Sequence, residues 1–156
     1  MKNWLKLIIS IVVVQLVGIT SSLATRSSIS GWYLTLTKPV FNPPNWIFGP
    51  VWTILYLMIG ISLFLVWTTK KNTKVKKKAY LIFGIQLVLN WLWSIVFFGM
   101  QNPGLAMIVI SLLWIFIILN FIFFYKISKT AGWLLVPYWL WVSFASVLNL
   151  AIWILN

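Results

Sequence analysis

Residues 104–125 read GLAMIVISLLWIFIILNFIFFY, without a charge between Pro103 and Lys126. At 1.5 Å per residue a helix of this length crosses the ~30 Å hydrocarbon layer of a bilayer, and a run so apolar and so long has no place in a soluble core. Four more segments of similar length and character lie on either side, at about 4–24, 46–67, 79–98 and 132–155. The sequence therefore predicts an all-α fold, an integral membrane bundle of five transmembrane helices, organised as a single domain over residues 1–156. Composition agrees: 62% of the residues are hydrophobic and only 8% charged, with a mean hydropathy of +1.01, outside the range of soluble domains.

The spans are separated by abrupt steps of charge, all of it positive: twelve Lys and Arg stand against no Asp, Glu or His, and Cys is also absent. Lys70, Lys71, Lys74, Lys76, Lys77 and Lys78 divide the second span from the third, and Lys126 and Lys129 divide the fourth from the fifth. With five spans these eight fall on the same side as Lys2 and Lys6, while Arg26 and Lys38 alone mark the other. The positive-inside rule places the amino terminus in the cytoplasm and the carboxyl end outside, in what reads as a bacterial cytoplasmic membrane. The first span also has signal-peptide features, namely Lys2 and Lys6, an apolar run and the small residues Ser22-Leu23-Ala24. Against cleavage, the run is long for a signal and the bundle needs its fifth helix. The lysine cluster fits a topogenic loop better than a nucleic-acid surface, because no aromatic residues are interleaved with it; no nucleic-acid partner is expected, and lipid is.

The missing residue types exclude whole classes of chemistry. Without carboxylates, imidazole or thiols there is no paired acid and base, no nucleophilic triad, no zinc or iron–sulfur site and no His or Cys ligation of haem, so no metal site and no conventional enzyme are expected. Proton-coupled transport through intramembrane carboxylates or His is disfavoured for the same reason.

Tryptophan is the residue in excess. Of twelve, Trp91, Trp93, Trp114, Trp139 and Trp141 lie deep in their spans and Trp52 a turn or two inside its own, whereas tryptophan ordinarily settles at the membrane interface with its N–H wet. A flat apolar guest would suit such rings. Helical periodicity gathers several of them into stripes: Trp52 and Tyr56 in the second span; Asn90, Trp93 and Phe97 in the third; Tyr138, Trp141, Ala145 and Asn149 in the fifth. An unpaired amide in hydrocarbon costs several kcal/mol, so Asn90 and Asn149 should face the bundle interior or a cavity, though plain packing between helices would also produce these stripes. By depth the three stripes meet in the outer half of the membrane, beneath a long loop from 25 to 45 in which Trp32 and Tyr33 are candidates for a lid. Pro39, Pro43 and Pro44 stiffen the end of that loop, and Pro137 should kink the fifth helix.

At Lys38-Pro39-Val40-Phe41-Asn42-Pro43-Pro44-Asn45-Trp46-Ile47-Phe48-Gly49-Pro50-Val51-Trp52, carrying the pattern PPxWxFxPVW, the chain resembles the TspO/MBR family. The blocks Leu89-Asn90-Trp91-Leu92-Trp93-Ser94 and Pro137-Tyr138-Trp139-Leu140-Trp141, the latter followed by Phe144-Ala145 and Asn149, extend the resemblance over nearly the whole chain. It implies a five-helix bundle, usually a homodimer, that binds porphyrins such as protoporphyrin IX and haem and, in some members, cholesterol or synthetic isoquinoline and benzodiazepine ligands. No cofactor is required; the tetrapyrrole is the ligand. By motif, Trp32, Tyr33, Trp52, Asn90, Trp93, Trp141 and Ala145 would form the pocket. Two positions depart from the family pattern: Leu150 stands where the sterol motif of eukaryotic members has Tyr, with no basic residue after it, and Val109, five positions before Trp114, stands where many members have an acid.

Three functions are compatible with this reading. The first is a receptor or sensor that stacks an apolar ring system on Trp52, Trp93 and Trp141. The second, which the resemblance also implies for some bacterial members, is light- and oxygen-dependent degradation of porphyrin, with Trp52 and Trp141 as electron donors and the excited pigment supplying the reactivity. The third is tetrapyrrole transport, for which the chain lacks inverted repeats and coupling carboxylates. GxxxG is absent, so the expected dimer rests on the resemblance alone.

Overall fold

Each apolar run forms a helix, because in lipid only internal hydrogen bonding satisfies the backbone. The computed structural model describes residues 1–70 and 73–156; Lys71 and Asn72, which belong to the lysine-rich loop, and the side chain of Thr73 lie outside the described residues. The chain runs as α1 (Asn3–Ser30), a single turn α2 (Trp32–Thr35), α3 (Asn45–Thr68), α4 (Thr73–Ser94) continued by a π-helical turn (Ile95–Gly99), α5 (Pro103–Ile127), a short α6 (Lys129–Trp133) and α7 (Val136–Leu155). Five helical stretches among the described residues are long and apolar enough to cross a membrane: Asn3–Ser30, Asn45–Thr68, Lys74–Gly99, Pro103–Ile127 and Lys129–Leu155. The protein is an integral membrane protein with lipid as its surroundings.

Three boundaries differ from the sequence reading. Rising polarity suggests an end to the first span at residue 24, yet α1 continues to Ser30, so the connecting segment is shorter than expected. Hydroxyls make this extension tolerable by bonding back into their own helix, Thr25 Oγ1 to the Ser21 carbonyl at 2.8 Å and Ser30 Oγ to that of Arg26 at 3.1 Å. Lysine is a good helix former, and α4 accordingly starts at Thr73 within the charged segment rather than at 79. Finally, Pro137 does not kink a continuous helix. The chain breaks into α6 and α7 at Leu134–Leu135, and Pro137 occupies the first turn of α7, where its missing N–H is no loss.

Helix α1 packs along α3, α4 along α5, and α5 along α7. A core of Val14, Ile59, Leu113, Ile117, Phe124 and Tyr138 runs from the middle of the bundle towards the end bearing the lysine-rich segment, with Phe83 and Phe124 stacked at 5.5 Å. At that end Lys76 Nζ donates to the carbonyl oxygens of Trp67 and Thr69. These carbonyls lie in and just past the last turn of α3, where the ammonium meets the negative pole of the helix dipole. Towards the other end α3, α4 and α7 draw apart, and the space between them holds the site.

A cavity walled by aromatic rings

The space encloses about 510 Å³ and is bounded by α1, α3, α4 with its π turn, and α7, within the ~300–1,000 Å³ usual for small-molecule sites. Its principal wall is a run of rings from two helices. Trp52 stacks on Tyr56 with centroids 5.4 Å apart and planes at 29°; Trp52 and Trp93 lie 6.4 Å apart at 35°, and Trp93 and Phe97 5.7 Å apart at 36°. The π turn widens the helix just where Phe97 and Phe98 both line the cavity, a placement in keeping with the occurrence of π-bulges at functional sites. Opposite, Trp141 meets Phe48 edge-on at 6.0 Å, and the small side chain of Ala145 leaves room beside it.

The floor is polar and largely bonded within the protein. Tyr56 Oη donates to Asn90 Oδ1 at 2.6 Å, Asn90 Nδ2 donates to Tyr138 Oη at 3.0 Å, and Tyr138 Oη donates to Gln86 Oε1 at 2.9 Å. Beside this chain Trp93 Nε1 donates to Asn149 Oδ1 at 3.0 Å, and Asn149 Nδ2 donates to the Pro103 carbonyl at 2.8 Å. These bonds tie α3, α4, α5 and α7 together and account for both intramembrane amides expected from the sequence to face inward. Two buried donors here have no protein partner, Gln86 Nε2 below the floor and the indole N–H of Trp141 in the wall.

The roof is the segment after α1. Tyr33 is 4% exposed and donates to Asn42 Oδ1 at 3.0 Å, while Lys38 Nζ sits 4.8 Å above its ring. Burial raises the pKa of the Tyr33 hydroxyl above its ordinary value and outweighs the lowering by the Asn42 bond, so the group remains a neutral donor. Farther along, Asn156 clasps the backbone of Thr37 from both sides: Thr37 N–H donates to Asn156 Oδ1 at 2.9 Å, and Asn156 Nδ2 donates to the Thr37 carbonyl at 3.0 Å.

Of the residues singled out from the sequence, Tyr33, Trp52, Tyr56, Asn90, Trp93, Phe97, Trp141, Ala145 and Asn149 line this one space. Two do not. Trp32 packs edge-on against Phe97 at 5.9 Å outside the wall, and Tyr138 lies one layer down, 1% exposed, as the middle of the buried hydrogen-bond chain. Nor are all the deep tryptophans pocket residues. Trp91 is 38% exposed towards lipid, and Trp114 pairs with Trp139 at 5.7 Å in the α5–α7 contact, where Trp114 Nε1 donates to Ser143 Oγ at 2.8 Å. Sequence reasoning missed the wall supplied by α1, where Gly18, Ser21, Ser22, Thr25 and Ile29 face the cavity. Their spacing of three and four was visible, but in so apolar a helix the small residues resembled a cleavage signal. Phe48 and Gln86 were missed as well.

The family model described as the TspO/MBR family matches residues 10–154. The chain belongs to this family. Among relatives, it is 47% identical to the tryptophan-rich protein TspO of Archaeoglobus fulgidus over 99% of both chains. It is 37% identical to the human translocator protein over 78% of this chain and 73% of that one, and 35% identical to the tryptophan-rich sensory protein of Cereibacter sphaeroides over 76% and 72%. At the two positions that depart from the TspO/MBR pattern, Val109 is buried among apolar neighbours and Leu150 is exposed on the lipid side of α7. Chemically the site offers stacking surface, one unspent indole donor and no acid, base or metal ligand, which suits holding a planar apolar molecule.

Proposed function

We propose that this protein is a membrane receptor or sensor that binds a flat, mainly apolar tetrapyrrole, protoporphyrin IX or haem, between its helices. The observation that carries the reading is the continuous run of rings along one wall, Trp52 on Tyr56, then Trp93 and Phe97, beside a cavity of about 510 Å³. With the floor amides already bonded to protein, stacking and apolar burial would provide the affinity, and the Trp141 N–H would meet one acceptor of the ligand. Each aromatic contact adds ~0.5–1.5 kcal/mol beyond burial, so three or four together with the buried area support a roughly micromolar Kd. Names of relatives such as "sensory protein" and "translocator protein" accord with a ligand-responsive membrane role.

The charge asymmetry of the sequence supports a cytoplasmic amino terminus, which puts the cavity in the outer half of a bacterial cytoplasmic membrane. A homodimer follows from the family resemblance, and cross-linking in native membranes tests it. For the binding itself, tryptophan fluorescence is titrated with protoporphyrin IX in the dark. The unmodified protein should be quenched with a roughly micromolar midpoint, and replacing Trp52 and Trp141 together by Leu should weaken binding about 5- to 100-fold. Equal affinity in the double variant overturns the proposal.

A further inference from the structure

We infer that the ligand reaches the cavity sideways from the lipid, through a gap between α1 and α3 framed by Ser22 and Gly49; this rests on the reading that the cavity binds a ligand. The two helices run antiparallel and their seam is shut along most of its length. A Cβ on Gly60 would come within 2.8 Å of Ile11 Cα, and one on Gly18 within 2.2 Å of Tyr56 Cε2. Beside the second contact Gln15 Nε2 donates across the seam to the Thr53 carbonyl at 3.1 Å.

One turn beyond Thr53, α3 presents Gly49. A Cβ on Gly49 would meet nothing within 4 Å, although Gly49 lines the cavity, and Ser22 opposite it lines the cavity while remaining exposed on the outer surface. Ile19 and Leu23 are likewise both cavity-lining and exposed. The same residues thus belong to the inner wall and to the outer face, as residues at the rim of an opening do. Above, by contrast, the way is covered by the buried Tyr33 and held by the Asn156 clasp on Thr37. An apolar ring system dissolved in the bilayer would pass edge-on between the two helices without leaving hydrocarbon.

The test is stopped-flow tryptophan quenching by protoporphyrin IX, with the protein in lipid nanodiscs. Gly49→Leu narrows the gap from one side, and Ser22→Leu from the other. Each should slow both association and dissociation at least about fivefold, because a barrier on the path lowers the rate in either direction. Asn156→Ala frees the roof and should leave both rates within about twofold if the roof is not the route. Unchanged rates in both gap variants, with faster exchange in Asn156→Ala, overturn the lateral route while leaving the binding site standing. Failure of the unmodified protein to bind overturns the proposed function and this inference together. Helical circular dichroism and thermal stability of each variant separate blocked passage from misfolding.

Discussion

Gly18→Ala is expected to damage the protein out of proportion to one methyl group. The added Cβ would lie 2.2 Å from Tyr56 Cε2 and 2.7 Å from Cδ2. To restore even the 3.4 Å lower edge of ordinary contact, the ring must retreat by about 1.2 Å. A free side chain would swing aside at little cost, but this one is fixed at two points, stacked on Trp52 at 5.4 Å and bonded through its hydroxyl to Asn90 at 2.6 Å. Overpacking of this kind costs ~1–3 kcal/mol, and losing the buried hydroxyl bond adds ~1 kcal/mol. The better helix propensity of Ala returns at most ~1 kcal/mol. A net loss of about 1–3 kcal/mol follows, read as a fall of several degrees in the thermal midpoint in nanodiscs. Gly49→Ala, with nothing near its Cβ, should be neutral or slightly stabilising. Combining Gly18→Ala with Tyr56→Ala should remove most of the additional loss, since the two effects share one contact. If Gly18→Ala melts with the unmodified protein, or its penalty persists unchanged when Tyr56 is truncated, the account of the α1–α3 seam is wrong.

Two further outcomes follow from the polar contacts. Asn90→Leu deprives the buried Tyr56 hydroxyl of its acceptor and should cost ~1–3 kcal/mol in unfolding assays, with part of the loss recovered in the Asn90→Leu/Tyr56→Phe double variant. Burial raises the Tyr33 pKa, so its stabilising contribution is complete below the ordinary tyrosine value of ~10 and declines as pH climbs through the higher folded value. The protection of amides in residues 36–44, measured relative to their base-catalysed intrinsic exchange, should therefore fall only at strongly alkaline pH, and Tyr33→Phe should remove that fall.

The fold class and the five spans were legible because lipid allows so few solutions: a charge-free run of twenty residues is a helix or nothing. The inward stripes of α3, α4 and α7 were legible for a related reason, since Asn90, Asn149 and the rings beside them are conspicuous against aliphatic residues. Tyr138 shows where periodicity stops. It shares the register of Trp141 and Ala145, but a position one turn deeper falls below the floor, and register alone carries no information on how far a cavity extends. Trp32 belongs to the pocket by motif, yet its contact with Phe97 takes it outside the wall. Helix α1 was the least legible element, because its function in the wall comes from what Gly18, Ser21 and Thr25 lack in bulk, and a deficit of volume has meaning only when the facing surface is known. The break before α7 was hidden because proline disrupts a helix interior but suits a first turn, and the sequence does not distinguish these until the break at Leu134–Leu135 is seen.

Lys76, turned onto the last carbonyls of α3, shows how a chain without carboxylates settles its cations: the backbone itself serves as counter-ion. Side chains of the types that ordinarily change charge between about pH 4 and 9 are missing altogether. Acidification of the surroundings therefore has no acidic side chain to neutralise, and the bundle should ride through acid stress with its architecture intact.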